Sequence, residues 1–187
     1  DSTKTLDVDG GTIKLDGNYP TGLNNVALGN GALDAALTGG SNTGLGSNSL
    51  SANTSGAQNT AIGNASLLLN QTGTANTAVG DDALIINVSG SYNVAVGADS
   101  LYNTTASNNT AVGQGSGRYN TTGTENVMVG VAALEDNTTG NYNAALGSEA
   151  LTNNTTGSFN TAVGRQSLYV NTTANSNTGI GYKALFA

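Results

Sequence analysis

Asparagines recurring every 16 or 17 residues open Asn-x-Ser/Thr triplets: Asn53, Asn70, Asn87, Asn103, Asn120, Asn137, Asn154 and Asn171. Such a triplet is an acceptor for an N-linked glycan. Turn chemistry accounts for the same residues, because an Asn followed by Thr caps a turn and stacks its amide on the next copy. Thr60, Thr77, Thr110, Thr161 and Thr178 recur in one register, interrupted by Val26, Val94, Val127 and Ala144. A flat ladder of threonine hydroxyls can bind ice. Strand alternation, however, puts these threonines on the side of the aliphatic residue two positions on, which predicts inward or corner positions. Tyr92, Tyr142 and Phe159 share one position of the pattern, and Tyr102 and Tyr169 share another. On an exposed turn these aromatics can stack on sugar rings, and they can equally cover the turn beneath them. Asp7 and Asp9, and the pair Asp81 and Asp82, offer oxygens to a cation without the ligand number or spacing of a calcium loop. Glu125, Glu135 and Glu149 fall at different positions and make no repeated acid pair of the kind that hydrolyses glycosides.

Chemistry that is absent narrows the field further. The chain has no Cys and no His, which removes disulfides, thiolate or imidazole metal sites, and nucleophile–histidine arrangements. No enzyme activity, cofactor or metal is expected. Five basic residues against twelve acidic ones give a net charge of −7, which disfavours a nucleic-acid partner. No apolar run reaches the length of a membrane span.

What positions these residues is a repeat. The pentad Asn59-Thr60-Ala61-Ile62-Gly63 recurs with its closing glycine at Gly29, Gly46, Gly63, Gly80, Gly97, Gly113, Gly130, Gly147, Gly164 and Gly181. The spacing is 17 residues throughout, except for 16 between Gly97 and Gly113. Its leading asparagine keeps the same register from Asn25 to Asn177. A unit of that length buries no face alone, whereas units stacked at about 4.8 Å satisfy one another's backbone. A charge-poor chain with 27 Gly, two Phe and no Trp suits such stacking of small side chains better than a conventional core or a disordered coil. The predicted fold is therefore an all-β parallel β-solenoid of ten 17-residue coils over residues 25–187, with residues 1–24 as a cap or lead-in of two short strands. Chain continuation, a partner or a cap is expected to cover the edge at Leu185-Phe186-Ala187.

Two apolar ladders follow from the register. Leu28, Leu45, Ile62, Val79, Val96, Val112, Val129, Leu146, Val163 and Ile180 form the first, and Leu33, Leu50, Leu67, Leu84, Leu101, Leu134, Leu151, Leu168 and Leu185 the second. Both are expected inside the coil. The small residues at Ala61, Ala78, Ala95 and their equivalents then face outward, as a close contact between chains. Glycine after the strand and in the second turn is expected to supply positive φ. The unit between Leu101 and Asn109 has lost a residue, placed before Asn103, and Gly117 stands where leucine belongs. That leaves a gap for Tyr119 or Tyr102 to fill.

The pentad resembles the Asn-Ser-Val-Ala-Ile-Gly head repeats of trimeric autotransporter adhesins and, more closely, Asn-Thr-Ala-Val-Gly arrays of phage tail-fibre proteins. The lead-in Thr12-Ile13-Lys14-Leu15-Asp16-Gly17-Asn18-Tyr19-Pro20 resembles that of virion structural proteins of cyanophages. The resemblance implies a left-handed β-roll, a homotrimer around a shared axis, and an extracellular place in a virion fibre or cell-surface appendage. It also implies adjoining fibre or virion proteins as partners, and attachment to surfaces or hosts, cell-surface carbohydrate among them. Adhesin heads repeat nearer 14 residues than 17. The expected function is a rigid, non-catalytic fibre segment, with a carbohydrate-binding or host-recognition head as the alternative and an ice-binding face behind it.

Overall fold

A computed structural model describes residues 24–35 and 37–186; the lead-in strands and the Asp7 and Asp9 pair lie outside the described residues. Ten strands of three residues follow in order: β1 Val26–Leu28, β2 Thr43–Leu45, β3 Thr60–Ile62, β4 Thr77–Val79, β5 Val94–Val96, β6 Thr110–Val112, β7 Val127–Val129, β8 Ala144–Leu146, β9 Thr161–Val163 and β10 Thr178–Ile180. They form one parallel sheet in sequence order, each strand pairing with the equivalent residues of the next. Thr60 lies opposite Thr77, Ala61 opposite Ala78 and Ile62 opposite Val79. The shortened coil does not disturb this, since Val94, Ala95 and Val96 pair with Thr110, Ala111 and Val112. The chain is a parallel β-solenoid, as its 17-residue period predicts.

The parity of the strands is the reverse of the expectation. The middle residue faces in: Ala61, Ala78, Ala95, Ala111, Met128, Ala145 and Ala162 are fully buried. The aliphatic ladder faces out, with Leu28, Leu45, Ile62, Val112, Val129, Leu146, Val163 and Ile180 all exposed. Coil width decides this. The opposite wall carries the leucine ladder, and a Cβ added at Gly44 on the inner face of β2 would already stand 3.3 Å from Leu33 Cγ. Only a methyl-sized group fits across from leucine, so the larger side chains must leave. The small ladder is the interior of each coil, not a contact between chains.

The leucine ladder is interior as predicted, with Leu50, Leu67, Leu84, Leu101, Leu134 and Leu151 inaccessible to solvent. These leucines adopt left-handed backbone at φ of 50° to 54°. That conformation is unusual for a branched side chain, and here the buried position holds it. Gly117 shares this backbone at φ 62°. Its gap is filled by neither tyrosine. Met128, the one large residue of the inner strand column, places Sδ 2.5 Å from where a Cβ of residue 117 would be.

Asparagine also lines the interior, in two ladders beside a column of buried Ser and Ala such as Ser49, Ser66 and Ala83. In the first, Asn76 Nδ2 donates to Asn59 Oδ1 (3.2 Å) and to Gly90 O (2.8 Å), while Asn76 N donates to the same Oδ1 at 3.0 Å. In the second, Asn87 Nδ2 donates to Asn70 Oδ1 (3.1 Å) and also reaches Gly90 O at 2.9 Å. One turn carbonyl thus accepts from both ladders. Buried amides paired from rung to rung stabilise a unique stacking register, because a slip would leave them unpaired.

The two glycines of a unit have different causes. The closing glycines lie at φ between 119° and 142°, open to glycine alone. The second-turn glycines do not have the positive φ expected of them. A Cβ at Gly73 would stand 2.3 Å from both Gly90 O and Asn70 Oδ1, so close stacking of coils excludes a side chain there. The missing residue also falls elsewhere than before Asn103. Thr104 takes the buried asparagine position, accepting from Asn120 Nδ2 at 3.1 Å, and Ala106 takes the glycine position, accepting from Asn93 Nδ2 at 2.8 Å. The deletion lies between them, in the turn.

Candidate interaction surfaces

Two columns of side chains leave each strand on its outer face. The first holds Val26, Thr43, Thr60, Thr77, Val94, Thr110, Val127, Ala144, Thr161 and Thr178; the second is the aliphatic ladder from Leu28 to Ile180. The threonines are therefore outward, not inward. Alternation does put them with the aliphatic ladder, and that whole side faces out. No hydroxyl of this threonine column has a hydrogen-bond partner among the described residues. By contrast, Thr121 and Thr138 in the second turn donate to Thr138 O and Thr155 O at 2.8 and 2.9 Å. Neither outer strand column contains a charged residue. The result is an in-register strip, aliphatic along one edge and largely threonine along the other.

Most of the triplet asparagines face the interior of the coil. Asn53, Asn70, Asn87, Asn120, Asn137 and Asn154 are fully buried, with amides committed to the second ladder. As glycan acceptors these six are closed in the folded coil. Asn171 is half-buried and keeps the ladder bond to Asn154 Oδ1 at 3.0 Å. Asn103 has left the ladder, its place taken by Thr104, and is half-buried.

Tyr92, Tyr142 and Phe159 stand exposed on the turn before the strand, all in left-handed backbone at φ of 56° to 60°. Tyr142 and Phe159, on successive coils, stack with ring centroids 5.0 Å apart and planes 5° from parallel. Tyr92 is separated from them by the rungs of Asn108 and Glu125. Tyr102 and Tyr169 are half-buried on another side of the coil, where Tyr169 stacks on Phe186 at 5.2 Å. Tyr102 instead meets a residue that the sequence pattern had not singled out. The Arg118 guanidinium lies 5.9 Å from the centre of the Tyr102 ring and 5.6 Å from that of Tyr119. Arg118 also pairs with Asp99 at 3.6 Å. The signal that could have found this group is the place of Arg118 directly after Gly117, where the leucine is missing.

The carboxylates form no repeated pair. Burial raises the pKa of Asp82, helped by repulsion from Asp81 and Asp99. Burial also raises that of Glu135, with repulsion from Asp136 and Glu149 adding to it and Arg118 opposing. Asp81 accepts from Asn64 Nδ2 at 2.9 Å. Among the described residues no three His, Cys, Asp or Glu side chains gather to hold a metal ion, and no helix is long and apolar enough to cross a membrane. No protein-family model, curated protein or solved structure matches this chain.

Proposed function

We propose that the chain is a non-catalytic structural segment, a rigid rod within a trimeric virion fibre or cell-surface adhesin, with the outer strand strip as the contact between copies. The observation that carries this reading is the strip itself. It runs uncharged over all ten strands, with aliphatic side chains exposed on nearly every rung. Apolar surface that long is rare on a monomer and marks an interface. A self-complementary strip of identical rungs fits further copies of the same coil better than an unrelated partner, because rung matches rung along the axis. The number three comes from the resemblance to adhesin heads and phage fibres, as do the extracellular setting and the neighbouring fibre proteins.

A second reading has one observation in its favour. Thr43, Thr60, Thr77, Thr110, Thr161 and Thr178 present unpaired hydroxyls in register beside methyl-bearing neighbours, an arrangement that can order water as an ice-binding face does. Light scattering at several concentrations separates the two. A constant mass about three times the 18.5 kDa chain supports the fibre. A monomer overturns it, and thermal hysteresis in that monomer establishes the ice-binding face.

A further inference from the structure

The departures from the repeat gather at one place. The shortened turn lies between β5 and β6, and the stretch after β6 has Gly117 without its leucine and Gly115 in a column shared with Gly31, Asn48, Ala65, Asp82, Asp99, Ala132, Glu149, Gln166 and Lys183. A Cβ at Gly115 would meet only Glu135 Oε1, at 3.8 Å, so the missing side chain leaves a small step whose floor, Gly115, is buried. Around that step stand Asp99, Arg118, Glu135, Tyr102 and Tyr119. Arg118 is held by Asp99 and both rings, and Tyr119 is 42% exposed, leaving ring surface free. The frame beneath is fixed. Asn103 N donates to Arg118 O at 3.0 Å, and Tyr119 N to Glu135 O at 2.9 Å.

We propose that this notch is a binding subsite for a neutral saccharide. Carboxylates accept from adjacent sugar hydroxyls, a guanidinium donates to them, and a tyrosine ring packs against the C–H face of a pyranose. The surroundings exclude the other ligand classes. Asp81, Asp82 and Asp99 on one side, and Glu135, Asp136 and Glu149 on the other, repel an anion from a single guanidinium. A metal lacks converging ligands, and a cationic group would compete with Arg118 for the same acceptors. The subsite lies outside the two strand columns, so it does not depend on how copies associate.

An array of neutral oligosaccharides built on glucose, galactose, mannose and their N-acetylated forms, followed by saturation-transfer NMR on the hits, tests this. Gly115→Asn fills the step with a residue the column already accepts in the same backbone at Asn48, φ 56°. We expect Gly115→Asn, Arg118→Gln and Tyr119→Ala each to weaken binding by about tenfold or more, with circular dichroism unchanged. Tyr142→Ala, on the other turn, should bind as the parent does. The proposal fails if no neutral sugar binds, if only sialylated or sulfated glycans bind, or if the folded Gly115→Asn and Arg118→Gln variants bind undiminished. Sugar binding by a monomer would leave this subsite standing while removing the trimeric fibre.

Discussion

Met128 and Gly117 exchange volume between two columns and two coils. Where the leucine ladder loses a side chain, the alanine ladder of the next coil supplies one, and Met Sδ occupies the vacated space. Thioether flexibility suits a gap of this irregular kind. Met128→Ala should empty it and cost about 2–5 kcal/mol, and Gly117→Leu alone should clash and cost about 1–3 kcal/mol. The double variant restores the common rung. It should melt above either single variant, and additive losses in a denaturation series would show that the two positions are not coupled. A second local defect is Asn87 Oδ1, buried without a hydrogen-bond partner. In regular coils the next asparagine donates to that oxygen, but Thr104 stands in its place. Thr104→Asn should therefore stabilise by about 0.5–1.5 kcal/mol in the same melting assay, and a loss of stability would mean that the shortened turn cannot admit the amide. The missing leucine at 117 was legible in the sequence, but its replacement was not. Neighbouring tyrosines are the candidates to fill the gap only when the column containing Met128 is read as outward, and that column faces in.

At the scale of the element, a three-residue strand has almost no stability of its own. Pairing on both sides, leucine burial and the two asparagine ladders together hold each coil in place. Each of these repeats every 17 residues, so the whole unit is the quantum of insertion or deletion. Removing Asn143 to Phe159 should keep every ladder in register, shortening the rod by one strand spacing of about 4.8 Å while leaving it folded. Removing eight residues of that unit should break both ladders at once. Circular dichroism and cryo-electron microscopy of the two deletions check this, and a folded partial deletion beside an unfolded whole-unit deletion would contradict it. Period, strand position and stacking register were all legible, because a recurring Asn-Thr-Ala-Val-Gly admits one alignment of its copies. Strand parity was not. Both faces of Ala61 and Ile62 are apolar, so hydrophobicity could not choose between them. The choice belongs to coil width, a distance between segments that are close in space and not in sequence. The turn glycines were likewise legible as necessary, while close approach at Gly73 and positive φ at Gly63 look the same in a sequence.

For the whole molecule, nine steps between ten strands at about 4.8 Å give a sheet roughly 43 Å long. Charges lie on its turns, amides in its interior, and apolar side chains on both faces of its strands. A rod of this kind has little reason to leave its aliphatic edge in water, and the proposed trimer removes that edge without altering any coil. Reversed parity sharpens the test. Ala95 cannot serve as a probe of the contact, since a carboxylate there would enter the coil and unfold it. Val79 and Val129, three rungs apart on the outer ladder, can. Val79→Glu combined with Val129→Glu would bring like charges from each copy together at an apolar axis while leaving each coil's own interior untouched. Sedimentation equilibrium of this variant beside the parent is the direct measurement: the parent should have about three times the 18.5 kDa chain mass and the variant should be a folded single chain, and equal masses for the two would contradict the trimer.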